Sequence, residues 1–423
     1  MSCSTASRAR TFLALNSSLG AMLGMVILVG MGEHMAERFL PLYLESIATG
    51  TWFRISVGVL AVGLLAFLDD LLSALYSFPG GYLSDRLGAK RALLVFNGLS
   101  ILGYLIVISI ARWWAVLLGA ACFISWSAIS LPATMELIAR TVPQNKRTMG
   151  VSLQSLVRRV PKTLGPLVGG AFIAVWGIGP GIRLAFGCAI LLALLAAWLQ
   201  QRFIADDRPA GGRGPAEGNP LRLYRWMNRS LRRLLLSDIL IRFCERIPDA
   251  FVVIWVTSNL VAREELSPGR AAFLFGVLSA IENLTAVLCY VPVAHLADRF
   301  GKKPFVLMTF AFFTLFPLAA LLATRFWALV PAFVLRGLKE FGEPTRKALI
   351  MDLAPENRKA AIFGLYYLIR DVIVSGAALS GAFLWSLSPR ISFLTAFGFG
   401  AAGTLYFALF GRHVEREDAG APA

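Results

Sequence analysis

The chain has 423 residues, of which 57% are hydrophobic and 16% charged, with a formal net charge of +16. Soluble domains hold roughly 45–50% apolar and about 25% charged residues, so this composition excludes an ordinary water-soluble globule. Five isolated cysteines (Cys3, Cys122, Cys188, Cys244, Cys289) and three histidines exclude a disulfide framework and a His-based metal cage, and no phosphate loop, G-x-S-x-G or H-E-x-x-H pattern points to an enzyme.

The apolar residues come in long runs, among them Leu15–Gly32, Ile55–Leu68 and Leu93–Ala111. A helix needs roughly 20 such residues to cross about 30 Å of hydrocarbon, and its backbone must pair within the segment, so the runs are expected to be membrane-spanning helices. Twelve spans are predicted, at 16–44, 55–79, 91–110, 113–140, 150–175, 181–203, 231–261, 269–293, 303–323, 326–353, 360–386 and 390–411. Span 1 follows Arg8 and Arg10 but shows no A-x-A cleavage pattern before the charged stretch Glu33–Arg38, so it reads as a retained span rather than a signal peptide. It carries Glu33, His34 and Glu37. Span 2 carries Asp69 and Asp70 and is followed by Gly81-Tyr-Leu-Ser-Asp85-Arg86-Leu-Gly88-Ala-Lys90-Arg91. Span 5 holds Arg158 and the run Leu164-Gly165-Pro166-Leu167-Val168-Gly169-Gly170.

After span 6, Ala205–Pro220 is polar and rich in Gly and Pro, as expected of a flexible linker. Leu221–Arg233 then sets five arginines among Leu, Tyr and Trp. Such a basic amphipathic stretch either favours an anionic inner leaflet or merely leads into the next helix. Span 7 carries Arg242, Glu245, Arg246 and Asp249, span 8 Glu282, span 10 Arg336, Lys339, Glu340 and Glu343, and span 11 Arg370. Between spans 8 and 9 the chain reads Ala294-His-Leu-Ala-Asp298-Arg299-Phe-Gly301-Lys302-Lys303.

That last stretch repeats the one after span 2 at an offset of 213, Pro143-Gln-Asn-Lys-Arg returns as Pro355-Glu-Asn-Arg-Lys at 212, and Arg112-Trp-Trp-Ala returns as Arg325-Phe-Trp-Ala at 213. The repeat divides the chain into halves 1–203 and 231–411, joined by a linker at 204–230 and followed by a tail at 412–423. It also relates charges inside the spans: Glu33 to Glu245, Glu37 to Asp249, Asp69 to Glu282 and Arg158 to Arg370. Loops on one side hold 23 Arg and Lys against 7 on the other. By the positive-inside rule the basic loops, and with them both termini, are cytoplasmic.

The doubled loop resembles the signature of the major facilitator superfamily, G-x-L-a-D-r-x-G-r-k, matched by Gly81, Asp85, Arg86, Gly88, Lys90 and Arg91 and, in a degenerate copy, by Asp298, Arg299 and Gly301. The resemblance covers essentially the whole chain. It implies an all-α integral membrane fold of 12 transmembrane helices in two pseudo-symmetric six-helix bundles, with spans 1, 4, 7 and 10 lining a central cavity. It also implies that Asp85, Arg86 and Arg91 take part in latching the outward-open state. Gly165, Pro166, Gly169 and Gly170 resemble the antiporter motif of that superfamily's drug–proton exporters, with Pro161 standing at the leading glycine. The alternative is a plain small-residue packing face. Span 4 lacks the arginine of the family's charged motif, whose counterpart here is Arg336-Gly337 in span 10.

Ionisable groups at the bilayer centre cost at least ~2.5–3.5 kcal/mol each, so they are functional candidates. Glu33, Glu37, Asp69, Asp70, Glu245, Asp249 and Glu282 are the candidates for proton coupling or substrate binding. His34, Arg158, Arg242, Arg246, Arg336 and Arg370 are candidate counter-charges or substrate-binding groups. The competing reading makes Glu245–Arg246, Arg370–Asp371 and Lys339–Glu340–Glu343 structural ion pairs. His34 with Glu33 and Glu37 offers a mixed ligand set without a soft ligand nearby, so no metal is expected, and no cofactor either.

The expectation is a monomeric, multi-pass transporter in a bacterial inner membrane whose partners are a small organic solute, protons and the lipid bilayer, with no role for nucleic acid. Proton-coupled export by alternating access leads. An importer or facilitator of an organic anion or chelate, and a non-transporting sensor on the same scaffold, remain open.

Overall fold

The apolar runs form helices, and the breaks between them fall where backbone chemistry demands. The computed structural model describes residues 17–52, 55–124, 126, 130, 134, 157–204, 224–225, 227–353 and 359–411. In chain order the helices are α1 (Ser17–Glu37), α2 (Leu40–Ile47), α3 (Val57–Leu87), α4 (Ala89–Ser109), α5 (Trp113–Phe123), α6 (Arg159–Trp176), α7 (Ile178–Phe203), α8 (Arg229–Asp249), α9 (Val252–Glu264), α10 (Pro268–Phe300), α11 (Lys302–Leu322), α12 (Phe326–Leu338), α13 (Glu343–Leu353), α14 (Lys359–Leu387) and α15 (Pro389–Phe410). Thr51–Trp52 and Ile55–Ser56 form a short antiparallel ribbon between α2 and α3.

Seven stretches among the described residues are long and apolar enough to cross a membrane: Val57–Tyr76, Lys90–Ser109, Ile178–Phe203, Pro268–Cys289, Lys302–Leu322, Ile362–Leu387 and Pro389–Phe410. They match predicted spans 2, 3, 6, 8, 9, 11 and 12. Spans 4 and 5 run partly outside the described residues, which resume α6 at its N-terminal end. Spans 1, 7 and 10 were expected as continuous helices and are not. Span 1 breaks after Glu37 and restarts at Leu40, with Pro41 in the first turn, where its missing N–H costs nothing. Span 7 breaks after Asp249, one residue past Pro248, and resumes at Val252. Span 10 breaks between Leu338 and Glu343. A hydropathy window averages over such interruptions. Non-helical backbone at membrane depth survives only where protein surrounds it, and here Thr309 Oγ1 accepts a 2.7 Å hydrogen bond from the Gly342 N–H inside the span 10 break.

The chain forms two compact units. Unit 1 comprises Met1–Ala216 with Val253–Ala280, and unit 2 comprises Glu217–Val252 with Ile281–Ala423. These limits cut at the α8–α9 break and within α10, whereas the sequence repeat divides the chain around its linker. In unit 1, Met22, Met25 and Val26 of α1 pack with Phe96 of α4 and Ala196 of α7. Tyr104, Phe123 and Phe186 form an aromatic cluster with centroids 4.9–5.5 Å apart. In unit 2, Leu234 and Ile241 of α8 pack with Phe310 of α11, Ile350 of α13, Tyr366 of α14 and Phe407 of α15. Large apolar side chains such as Leu191, Trp198, Leu288, Leu322 and Leu409 remain exposed. In water they would be an association hazard, but in a bilayer they are the surface that lipid wets.

Both copies of the repeated loop turn on a glycine. Gly88 has φ 81° between α3 and α4, and Gly301 has φ 87° between α10 and α11, a conformation that a Cβ disfavours. Gly81 and Asp85 lie on α3 and Asp298 and Arg299 on α10, the latter three with side chains outside the described set. The linker stretch 205–223 and the tail 412–423 also lie outside the described residues.

Candidate functional site

Two charge clusters sit on the helices that fell short of a continuous apolar span. The unit 1 cluster is built on α1. Glu33 and Glu37, four residues apart, share a helix face. His34 Nδ1 lies 2.6 Å from Glu37 Oε2. Glu33 is buried, and its Oε2 has no hydrogen-bond partner among the described residues. The charges that act on it are those of Glu37, Arg158, Lys162 and Asp69. Asp70 is buried on α3.

The backbone of α6 approaches this turn at van der Waals limits. A Cβ added at Gly165 would lie 2.8 Å from His34 Cβ, and one at Gly169 would collide with the Met35 carbonyl. Gly170 meets α10 instead, where an added Cβ would lie 3.0 Å from Phe273 Cα, and Pro166 lies against Gly276 of the same helix. The small-residue motif therefore holds the acid-bearing turn of α1 and the start of α10 against α6. Tyr104 on α4 is buried with its hydroxyl unpartnered and feels the charges of Glu33 and Glu37. Nothing in the apolar run around Tyr104 singles it out in the sequence.

In unit 2 the acids meet cations. Glu245 accepts from Lys339 Nζ at 2.7 Å through Oε1 and from Arg242 Nη1 at 2.7 Å through Oε2. Asp249 accepts from Arg336 and, at 3.2 Å, from Arg246. Glu282 Oε1 lies 3.4 Å from Arg336 Nε and 3.7 Å from Lys339 Nζ. Arg336 is itself nearly inaccessible and lies over the rings of Phe316 and Phe333, at 5.0 and 5.6 Å. The approach of α12 to α10 needs Gly337, whose added Cβ would strike the Glu282 carbonyl.

A second group lies along the same face of α8, and the sequence reading missed its centre, Asp238, Arg346 and Tyr366. Asp238 and Arg346 form an ion pair in which each side chain is 1% exposed. Tyr366 donates to Asp238 Oδ2 at 3.0 Å, and Arg370 Nη1 lies 3.5 Å from the same oxygen. Arg346 also donates to Glu343 at 2.6 Å, Arg242 reaches Glu343 at 3.1 Å, and Arg370 pairs with its neighbour Asp371 at 2.7 Å. Arg242 and Glu343 thus join the two groups into one network. Asp238 and Arg346 were findable as ionisable residues within predicted spans, but neither has a charged repeat mate: Val26 and Thr134 stand at the 212 offset.

The loop charges find local partners. Lys90 is buried and donates to the Gln201 carbonyl at 3.2 Å, tying α4 to the end of α7. Arg86 and Arg91 are exposed. In the second copy Lys302 pairs with Asp352 of α13.

Comparison with known proteins agrees with the fold. A family model described as Major Facilitator Superfamily matches residues 11–261 and again 249–423. The chain is 22% identical over 371 residues to the uncharacterised MFS-type transporter MJ1317 of Methanocaldococcus jannaschii, covering 86% of this chain and 87% of that protein. It is 23% identical over 388 residues to the multidrug resistance protein MdtG of Proteus mirabilis, covering 90% and 92%. Among solved structures, the nucleoside transporter NupG superposes with a TM-score of 0.74 at 11% identity, over 93% of this chain and all of that one. An auto-inhibited POT family peptide transporter superposes with a TM-score of 0.72 at 13% identity, over 96% and 99%.

Proposed function

The chain belongs to the major facilitator superfamily, an all-α membrane transport protein rather than an enzyme, and from that premise we propose that it exports a small organic solute in exchange for protons. The single observation that carries the proposal is the contrast between Glu33 and its repeat mate Glu245. Glu33 is buried with one carboxylate oxygen unpartnered, whereas Glu245 has both oxygens held by Arg242 and Lys339. Protonating Glu245 would leave two buried cations short of a counter-charge, a cost of several kcal/mol. Protonating Glu33 strips no hydrogen bond from its free oxygen. Glu33 is therefore the proton carrier, with Arg158 and Lys162 as the charges that its ionised form faces and with Glu37 and His34 as its partners on α1. Glu245 and Asp249 serve instead to hold α8 and α12 together, and Glu282, whose Oε2 is unpartnered but whose Oε1 faces Arg336 and Lys339, ties α10 to them.

Export is supported by the glycine motif on α6 and by the likeness to MdtG, a multidrug resistance protein. Alternating access of two six-helix halves, 1–203 and 231–411, around a midplane solute is the mechanism this architecture provides. We place both termini on the cytoplasmic side of a bacterial inner membrane and take the monomer as the working unit. Uptake of an organic anion draws less support, because Arg242, Arg336, Lys339, Arg346 and Arg370 each already hold a carboxylate.

The test is transport in proteoliposomes carrying an imposed proton gradient, scored as gradient-driven accumulation and as solute counterflow without a gradient. Glu33→Gln is expected to lose the first and keep the second. Gradient-driven transport by Glu33→Gln at the wild-type rate would overturn the assignment.

A further inference from the structure

We infer that the start of α8 is a binding site for an anionic diacyl phospholipid. Arg229, Arg232 and Arg233 there line a cavity of about 510 Å³. The rest of its wall is mainly apolar, with Leu236 and Ile239 from α8, Ile373 from α14 and Phe410 from α15, and it includes two tyrosines, Tyr224 and Tyr406. Leu236, Ile373 and Phe410 are exposed, so the cavity opens on the lipid-facing surface.

Two arguments fix the occupant. The first is charge. No carboxylate among the described residues pairs with any of the three arginines, in contrast to the neutralised arginines deeper in the same helix. Arg232 is braced by its Nη2 donating to the Tyr224 carbonyl at 3.1 Å, with its guanidinium 4.7 Å from the Tyr224 ring. Arg233 lies 5.5 Å from the Phe410 ring. A guanidinium has five N–H donors in a planar fork that matches two phosphate oxygens, and these contacts leave most of them available. The first turn of α8 contains no acid, so its dipole adds to the same preference.

The second argument is depth. From Arg229 to Ile239 is ten residues, ~15 Å along a helix. That is half of the roughly 30 Å hydrocarbon core, the thickness of one leaflet. The arginines come at the end where the basic linker enters α8 and where α15 leaves toward Arg412 and Arg416, the side that the positive-inside count makes cytoplasmic. Cations at headgroup level above an apolar slot one leaflet deep fit a phosphate with its acyl chain. A free anion would leave the apolar wall uncovered, and a zwitterionic lipid would leave the arginines uncompensated.

The experiment uses delipidated full-length protein in detergent, titrated with phosphatidylglycerol, phosphatidylcholine or inorganic phosphate and read by native mass spectrometry and thermal unfolding. Phosphatidylglycerol alone is expected to form a retained adduct and raise the unfolding midpoint. Replacing Arg229, Arg232 and Arg233 together by Ala is expected to weaken the adduct roughly 10- to 100-fold. Ile373→Trp, which fills the apolar slot and leaves the charges alone, is expected to displace the lipid, so the outcome does not hinge on whether the triple variant folds. Equal retention of phosphatidylcholine, equal stabilisation by inorganic phosphate, or full retention of phosphatidylglycerol by Ile373→Trp would each overturn the inference.

Discussion

Arg346→Met removes one partner of the most deeply buried ion pair in unit 2. Asp238 then keeps Tyr366 at 3.0 Å, Arg370 at 3.5 Å and Arg242 Nε at 3.9 Å, and both arginines are already shared with other carboxylates. Breaking a buried pair by removing one partner costs about 3–5 kcal/mol. Glu343 loses Arg346 as well, a loss tempered by Arg242, which stays at 3.1 Å. The reciprocal change, Asp238→Leu, orphans the Tyr366 hydroxyl and one arm of Arg346, at roughly 1–3 kcal/mol for each unsatisfied group. Removing both partners removes the charge that each single change strands, although Tyr366 still loses Asp238 and Glu343 still loses Arg346, so the double variant is expected to cost less than the sum of the two single changes. The assay is a double-mutant cycle on detergent-purified protein, followed by chemical or thermal unfolding, with single-variant midpoints lowered by on the order of 5–10 °C. If the two single costs simply add in the double variant, Asp238 and Arg346 are not a coupled pair, and the view of the unit 2 network as a self-neutralising brace fails with them.

Three further changes separate backbone, packing and surface effects. Gly301→Ala meets no atom within 4 Å, so its cost is the backbone alone, φ 87° with ψ 158° being a region essentially reserved to glycine, about 1–3 kcal/mol in unfolding free energy. Gly169→Val drives a side chain into the Met35 carbonyl and should abolish proton-driven transport or folded yield, while Gly376→Val on α14, which meets nothing within 4 Å, should be tolerated. The Lys302–Asp352 pair is 28% and 34% exposed, so Lys302→Ala should change stability by under ~1 kcal/mol, and less still in high salt.

Much of the architecture was legible in the sequence, because lipid imposes a coarse rule: long apolar runs become helices. The repeat and its glycines were equally readable, and Gly88 and Gly301 adopt matching backbone conformations 213 residues apart. The helix breaks at 38–39, 250–251 and 339–342 were not, since hydropathy reports burial in lipid and says nothing of where a backbone turns. The acids were found by type and by repeat, but not their states. Glu33 and Glu245 occupy equivalent positions and end differently because the partners of Glu245 include Lys339, 94 residues away and without a counterpart that the repeat could reveal. Asp238 and Arg346 escaped for a related reason, as a search guided by duplicated charges passes over charges that only one half acquired.

The pairing in unit 2 has an electrical consequence. Among the described residues, Asp238, Glu245, Asp249, Glu282, Glu343 and Asp371 face Arg242, Arg246, Arg336, Lys339, Arg346 and Arg370, six formal charges of each sign, with the half-exposed Lys347 at the rim 3.7 Å from Glu343. A dozen ionised groups at membrane depth thus sum to zero, and displacing them together across the membrane potential does no electrical work. One elementary charge moved through 100 mV is worth about 2.3 kcal/mol. On the proposed reading the voltage dependence of the transport cycle then falls to the cargo and the coupled proton rather than to this network.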